Sequence, residues 1–240
     1  MSLDQGPIRI AVVSALTAES RTMKQVSNRL ELHTCGMGSD AVEKHLANVS
    51  TQNISGIISW GVCGALKNQL KPGDLLIPKM VTNQNQQTFK CDALWRKTIQ
   101  DTIHSENHNS GMLNSLIVDS EKTINTPQAK TALAKLSNAE AVDMESFAIA
   151  KFAHAHEIPF VIIRVVVDTA NDCLPEKLAF ELGESSASLK TFVRAISQPR
   201  QWPTLIRTGS QFRVALASLK MLANTSIDAL SMTCIEPTPE

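Results

Sequence analysis

Two carboxylates in the second half of the chain stand where chemistry can be done. Glu145 lies in Val142-Asp143-Met144-Glu145-Ser146, which opens a helical pattern, and Asp168 closes the apolar run from Phe160 to Val167, which carries a single Arg164. A carboxylate placed where a strand leaves an α/β sheet lies in the crevice where such folds bind ligands. A lone acid after an apolar run can be tuned by burial for proton transfer. Acids and a base thus gather at one end of a sheet, which is the arrangement of an enzyme. Each residue also has a plainer account. Asp168 can close a turn through local hydrogen bonds, Asp143 can cap a helix, and Glu145 and Glu19 can be favoured by a helix dipole. Arg164 inside an apolar strand needs a partner, and a structural ion pair has as good a claim as a substrate contact.

The elements that must position these groups alternate. Ile8 to Ser14 reads as a buried parallel strand, and Thr17 starts a helix reaching about Asn28. Leu30 to Cys35 is the next strand, and Gly36-Met37-Gly38 turns the chain into a helix carrying Ala41, Val42, Leu46 and Val49. Ile54 to Trp60 is a third strand, ending in Gly61-Val62-Cys63-Gly64-Ala65-Leu66, and Pro72-Gly73 precedes a short run to Pro78. Val81 to Gly111 is polar enough to read mostly as surface. A short strand at Leu116 to Val118 and a helix started by Pro127 follow. Pro159 then stops the helix that begins near Asp143. Two further helices, about Ser188 to Ser197 and Gly209 to Asn224, close the fold. The expectation is one α/β domain over residues 1–240, three layers around a mixed, mostly parallel sheet, with a C-terminal tail from about residue 225.

Composition removes several function classes. Twenty-three basic residues balance 23 acidic ones, without the basic excess that nucleic-acid backbones demand. The five cysteines form no Cys-x-x-Cys pair, and the histidines show no ligand spacing, so no metal site and a reducing, cytoplasmic setting are expected. No apolar segment reaches the ~20 residues needed to span a bilayer.

With the pieces placed, the pattern resembles the purine nucleoside phosphorylase and nucleosidase superfamily, which cleaves the bond between a nucleobase and ribose. Ser14-Ala15-Leu16-Thr17-Ala18-Glu19 resembles its first-strand motif, and Gly36-Met37-Gly38 its glycine turn near the nucleophile. Gly61 to Leu66, with Pro72-Gly73-Asp74, resembles the base-pocket segment. Val142-Asp143-Met144-Glu145 and Arg164-Val165-Val166-Val167-Asp168 resemble the ribose-clamp and base-protonation motifs. A narrower resemblance, to the hopanoid-associated phosphorylases that release adenine from adenosylhopane, rests on the last two motifs, on Leu174-Pro175 and on Gln198-Pro199 to Leu205. Together these imply phosphorolysis of a 5′-modified adenosine in a homo-oligomer, with phosphate as co-substrate and no cofactor. Asp168 and Glu19 would be catalytic, Glu145 and Met144 would hold the ribose, and Cys63 and Gly64 would border the base. Gly36, Gly38 and Arg21 would hold phosphate. The chain departs from the family pattern at Val167, where a serine is usual before the catalytic aspartate, and at Cys63 and Gly64-Ala65 in the base segment.

The chemistry fits the residue types. Breaking a ribose-to-nitrogen bond builds positive charge on the sugar and negative charge on the base, and stabilising both lowers the barrier. A sheltered Asp168 can protonate N7 of a purine, and Glu145 can accept hydrogen bonds from ribose hydroxyls. Three rival readings remain. One is a hydrolase of methylthioadenosine or adenosylhomocysteine type, with Glu19 activating water. Another is a nucleoside-binding module without turnover. The third is a peripheral membrane protein using the stripe Leu216, Leu219 and Leu222, which core packing explains more simply.

Overall fold

The computed structural model describes residues 9–24, 30–105, 115–173 and 202–231. Among these residues the chain forms a nine-stranded sheet faced by helices on both sides, so the expected mixed, mostly parallel α/β architecture is what the chain adopts. Its organising element is β3 (Ile54–Ala65), which runs parallel to β1 (Arg9–Ser14) on one side and to β9 (Phe160–Asp168) on the other. Strand β2 (Leu30–Thr34) lies outside β1. The far end of β3 pairs antiparallel with β8 (Ala141–Asp143), beyond which lie β7 (Leu116–Asp119), β5 (Met80–Thr82) and β6 (Thr88–Lys90). β4 (Leu75–Leu76) runs antiparallel to β9. β3 is longer than its apolar run implies, because Gly61 to Ala65 continue the strand instead of leaving it.

Both faces of the central strands are buried, which is why they read as apolar runs without alternation. On one face Ile57, Ile162 and Val166 pack under α2 (Ser39–Leu46) and α5 (Ser146–Ala155). On the other, Ile58, Trp60, Ile163 and Val165 meet α3 (Ala93–Ser105), α6 (Trp202–Thr225) and α7 (Ile227–Leu230). The short α1 (Thr17–Arg21) follows β1, and Trp60 Nε1 donates to Thr22 Oγ1 just beyond it at 2.9 Å. α4 (Pro127–Ser137) starts with Pro127 after Thr126, whose Oγ1 accepts from the Ala129 amide at 3.2 Å, and ends at Asn138 in the left-handed region.

Two expectations are corrected. The stretch from Val81 to Gly111 is not mostly surface: it holds β6 and the 13-residue α3, whose Trp95, Ile99 and Ile103 are fully buried. Their i, i+4, i+8 spacing is a helical stripe that the preceding Asn and Gln run obscures. Nor is the chain from residue 225 a tail throughout. α7 buries Leu230, and Trp95 Nε1 donates to the Ala229 carbonyl at 2.9 Å. The helix expected over Ser188 to Ser197 and the segment Gln198 to Pro199 lie outside the described residues.

The Leu216, Leu219 and Leu222 stripe faces inward: Leu219 and Leu222 are buried in the core cluster and Leu216 packs against it. The stripe therefore supplies no apolar surface for a membrane. Among the described residues no helix is long and apolar enough to cross one.

Candidate active site

The strand ends meet around one cavity of about 160 Å³. Glu19, Glu145 and Asp168 all line it, together with Met144, Cys63 and Gly64. Residues remote in sequence thus converge as the motif spacing implies.

Glu19 is the third residue of α1, and its carboxylate is clamped between the first strand-to-helix turn and β3. Leu16 N donates to Oε2 and Val62 N to Oε1, each at 2.9 Å. The bond to Leu16 is the acidic half of a capping box, so part of the helix-start account of Glu19 holds as well. The seat requires Gly61, since a Cβ there would lie 2.7 Å from Glu19 Oε1. Burial raises the Glu19 pKa, against the opposing charge of Arg164 and the donated amides.

Arg164 resolves as a structural partner. Its Nε donates to Asp143 Oδ2 at 2.7 Å, and Nη2 donates to Ser59 Oγ at 2.8 Å and Ser146 Oγ at 2.9 Å. It lies behind the cavity and does not line it. Asp143 ends β8 and is held by both Arg164 and the Ser146 hydroxyl, while the helix that follows begins only at Ser146, with Glu145 at its N-cap.

Glu145 Oε1 accepts the Gly38 amide at 2.8 Å. Burial first, and then the charge of Asp143, push the Glu145 carboxyl up to about 8, with Arg164 and Gly38 pulling the other way. Met144 is positioned by Ser39, whose Oγ donates to the Met144 carbonyl at 3.2 Å, and by Thr123, whose hydroxyl lies 3.7 Å from the thioether sulfur.

The expected phosphate-binding set is not assembled. Gly38 N is committed to Glu145, and Gly36 N donates to Ala15 O at 3.1 Å. Both glycines adopt positive φ, 89° and 88°, so the turn itself accounts for them. Arg21 is exposed and does not reach the cavity.

Asp168 arrives through a β-bulge. Cys63 pairs with Val166 but Gly64 pairs with Asp168, which leaves Val167 as the extra residue. Asp168 then lies over Gly64, where a Cβ would come within 3.2 Å of Oδ1 and 3.3 Å of Oδ2. Val167 lines the cavity, and burial keeps the Cys63 thiol well above the ordinary thiol pKa and hence neutral. Burial also raises the Asp168 pKa, while its buried ion pair with Lys130 lowers it. Lys130 escaped the sequence reading. The signal was a lysine in the register of Leu133, Ala134 and Ser137 on the inward stripe of α4. Among the described residues no group of three or more His, Cys, Asp or Glu side chains is placed to hold a metal.

A sheet covered on both faces thus brings four acids, Glu19, Asp143, Glu145 and Asp168, to one cavity. Residues 22–198 match the model of the phosphorylase superfamily, and the chain belongs to that family, as an enzyme of its nucleosidase and phosphorylase class. It is 30% identical to the 5′-methylthioadenosine/S-adenosylhomocysteine nucleosidase of Staphylococcus haemolyticus, over 58% of this chain and 68% of the relative. The Buchnera aphidicola nucleosidase of the same name is 26% identical over 77% of this chain and 93% of its own. Among solved structures, the Neisseria meningitidis 5′-methylthioadenosine/S-adenosylhomocysteine nucleosidase in complex with methylthio-immucillin-A superposes with a TM-score of 0.70 at 20% identity, covering 90% of this chain and 97% of that one.

Proposed function

We propose that the protein hydrolyses the N-glycosidic bond of a 5′-modified adenosine of the methylthioadenosine or adenosylhomocysteine type. Glu19 takes a proton from water as its oxygen bonds to C1′ of the ribose. The C1′–N9 electron pair passes into the purine, and Asp168 protonates N7 so that adenine leaves neutral. Glu145 and Met144 hold the ribose. The observation that carries water as nucleophile is that the donors expected for phosphate are committed elsewhere. Glu19 and Glu145 both border the cavity, while the buried Arg164 behind them is bound to Asp143. The Gly38 and Gly36 amides are already engaged by Glu145 and Ala15, and Arg21 is exposed and away from the cavity, so the donors expected for a phosphate are not presented to it. The names and ligand of the relatives support the same substrate class. This reading replaces phosphorolysis of adenosylhopane. The apolar stripe that a hopanoid would require near the mouth packs into the core instead.

The test is adenine release from methylthioadenosine with and without phosphate, followed by identification of the sugar. Free methylthioribose at a phosphate-independent rate is expected. A ribose 1-phosphate product, or no adenine release, would overturn the proposal.

A further inference from the structure

Lys130 is fully buried on α4, and the base cleavage described above leaves it without a part. Its ammonium donates to Asp168 Oδ2 and, at 2.6 Å, to the Thr169 carbonyl. An apolar side chain would fill an inward position of α4 without the desolvation that a buried ammonium suffers. The neighbouring inward residues, Leu133 and Ala134, are indeed apolar. The helix is fixed at its start by Thr126 and Pro127, so the lysine is delivered from a rigid support. It takes one carboxylate oxygen only. No hydrogen-bond partner of Asp168 Oδ1 is found among the described residues, and Asp168 lines the cavity over Gly64.

We infer that Lys130 is a positioning residue for proton donation: it grips Asp168 through Oδ2, leaves Oδ1 to face N7 of the base, and stabilises the carboxylate that forms when the proton leaves. The inference rests on the proposed glycosidic cleavage. In that step the Asp168 O–H bond breaks and its electron pair stays on the carboxylate. An N7–H bond forms as the C1′–N9 pair enters the purine. Lys130 keeps its protons throughout. Without the ammonium, donation would strand a bare carboxylate in a buried site.

Among the described residues no other titratable group is hydrogen-bonded or ion-paired to Asp168. The Cys63 thiol on β3 is held neutral by burial, Asp143 and Arg164 engage each other, and Asp172 beyond Thr169 accepts the Thr169 amide and pairs with Arg207. Since Lys130 lowers the Asp168 pKa against burial, removing its charge raises that pKa further. A weaker acid holds its proton to higher pH and gives it up more slowly.

The experiment compares the pH profile of kcat for adenine release from methylthioadenosine in wild type, Lys130→Gln and Lys130→Arg. The glutamine variant should lose about tenfold or more in kcat, with its alkaline limb moved up by about one pH unit or more. The arginine variant should keep the limb within about half a unit of wild type. A lysine that only supported the fold would reduce folded protein and leave the limb in place. An unmoved limb with kcat within about threefold in Lys130→Gln would overturn the inference. If that variant does not fold, a displaced limb in Lys130→Arg does the same. Wild-type protein that releases no adenine sinks both the cleavage reading and the lysine's role, whereas an active wild type with unshifted variants sinks the lysine's role alone.

Discussion

The two ends of the cavity seat their carboxylates on the same strand in opposite ways. At the end proposed to hold the sugar, Glu19 lies against Gly61 and receives two backbone amides, while the buried Arg164 whose charge it feels is bonded to Asp143. At the end proposed to hold the base, Asp168 lies against Gly64 and is paired directly with Lys130. Burial raises the pKa of both acids, opposed at Glu19 by the charge of Arg164 and the donated amides and at Asp168 by the charge and hydrogen bond of Lys130. The contrast suits a proton acceptor at one end and a donor, whose product is an anion, at the other.

The largest expected effect comes from removing either acid. Asp168→Asn and Glu19→Gln should each reduce adenine release by about 10²- to 10⁴-fold, with adenine affinity, measured by calorimetry, largely kept. Equal loss of affinity in Asp168→Asn would assign that residue to binding and break the contrast. Next in size is Arg164→Leu. It leaves Asp143 without its cation, beside Glu145, and should lower stability by about 3–5 kcal/mol in a denaturant titration.

The acids at the sugar end also imply a pH dependence of stability. Glu145 binds its proton more tightly folded than unfolded, with a folded value of about 8 against an ordinary 4.5. Its contribution is therefore fully present below about 4.5 and is lost as pH rises through about 8. Glu145→Gln should flatten the fall of the thermal midpoint across that window, and an unchanged slope would remove Glu145 as its source.

Finer still is the pair of glycine substitutions. Gly61→Ala places a Cβ 2.7 Å from Glu19 Oε1, while Gly64→Ala places one 3.2 Å from Asp168 Oδ1. The first should cost about 1–3 kcal/mol and the second less, each with a fall in kcat. The reverse order would mean that the base end is the tighter seat.

Much of this arrangement was legible in the sequence, for reasons that differ by residue. Strands buried on both faces announce themselves as apolar runs, so β1, β3 and β9 were readable, whereas Glu19, Glu145 and Asp168 rose above helix-cap and turn accounts only through the motifs that resemble the family's, and the structure lines one cavity with all three. The role of Arg164 was open until its partner was seen, because ion pairing is decided by residues over 20 positions away. Gly36 and Gly38 misled, because positive φ and anion binding leave the same mark on a sequence. Trp95, Ile99 and Ile103 show a helical stripe, but the polar residues before them dominated the local composition. Lys130 was missed because a lysine among apolar helix positions looks like solvent exposure until a carboxylate 38 residues further on is brought beside it.

The bulge at Val167 makes the placement of Asp168 a matter of parity. Were the same residues paired without it, Gly64 would stand level with Val167 and Ala65 with Asp168, and the carboxylate would meet a methyl group on the opposite side of the pleat. One unpaired residue, whose own side chain lines the cavity, thus sets which way Asp168 faces. Straightening the strand there would leave the hydrophobic layers almost intact and turn the carboxylate away from Gly64.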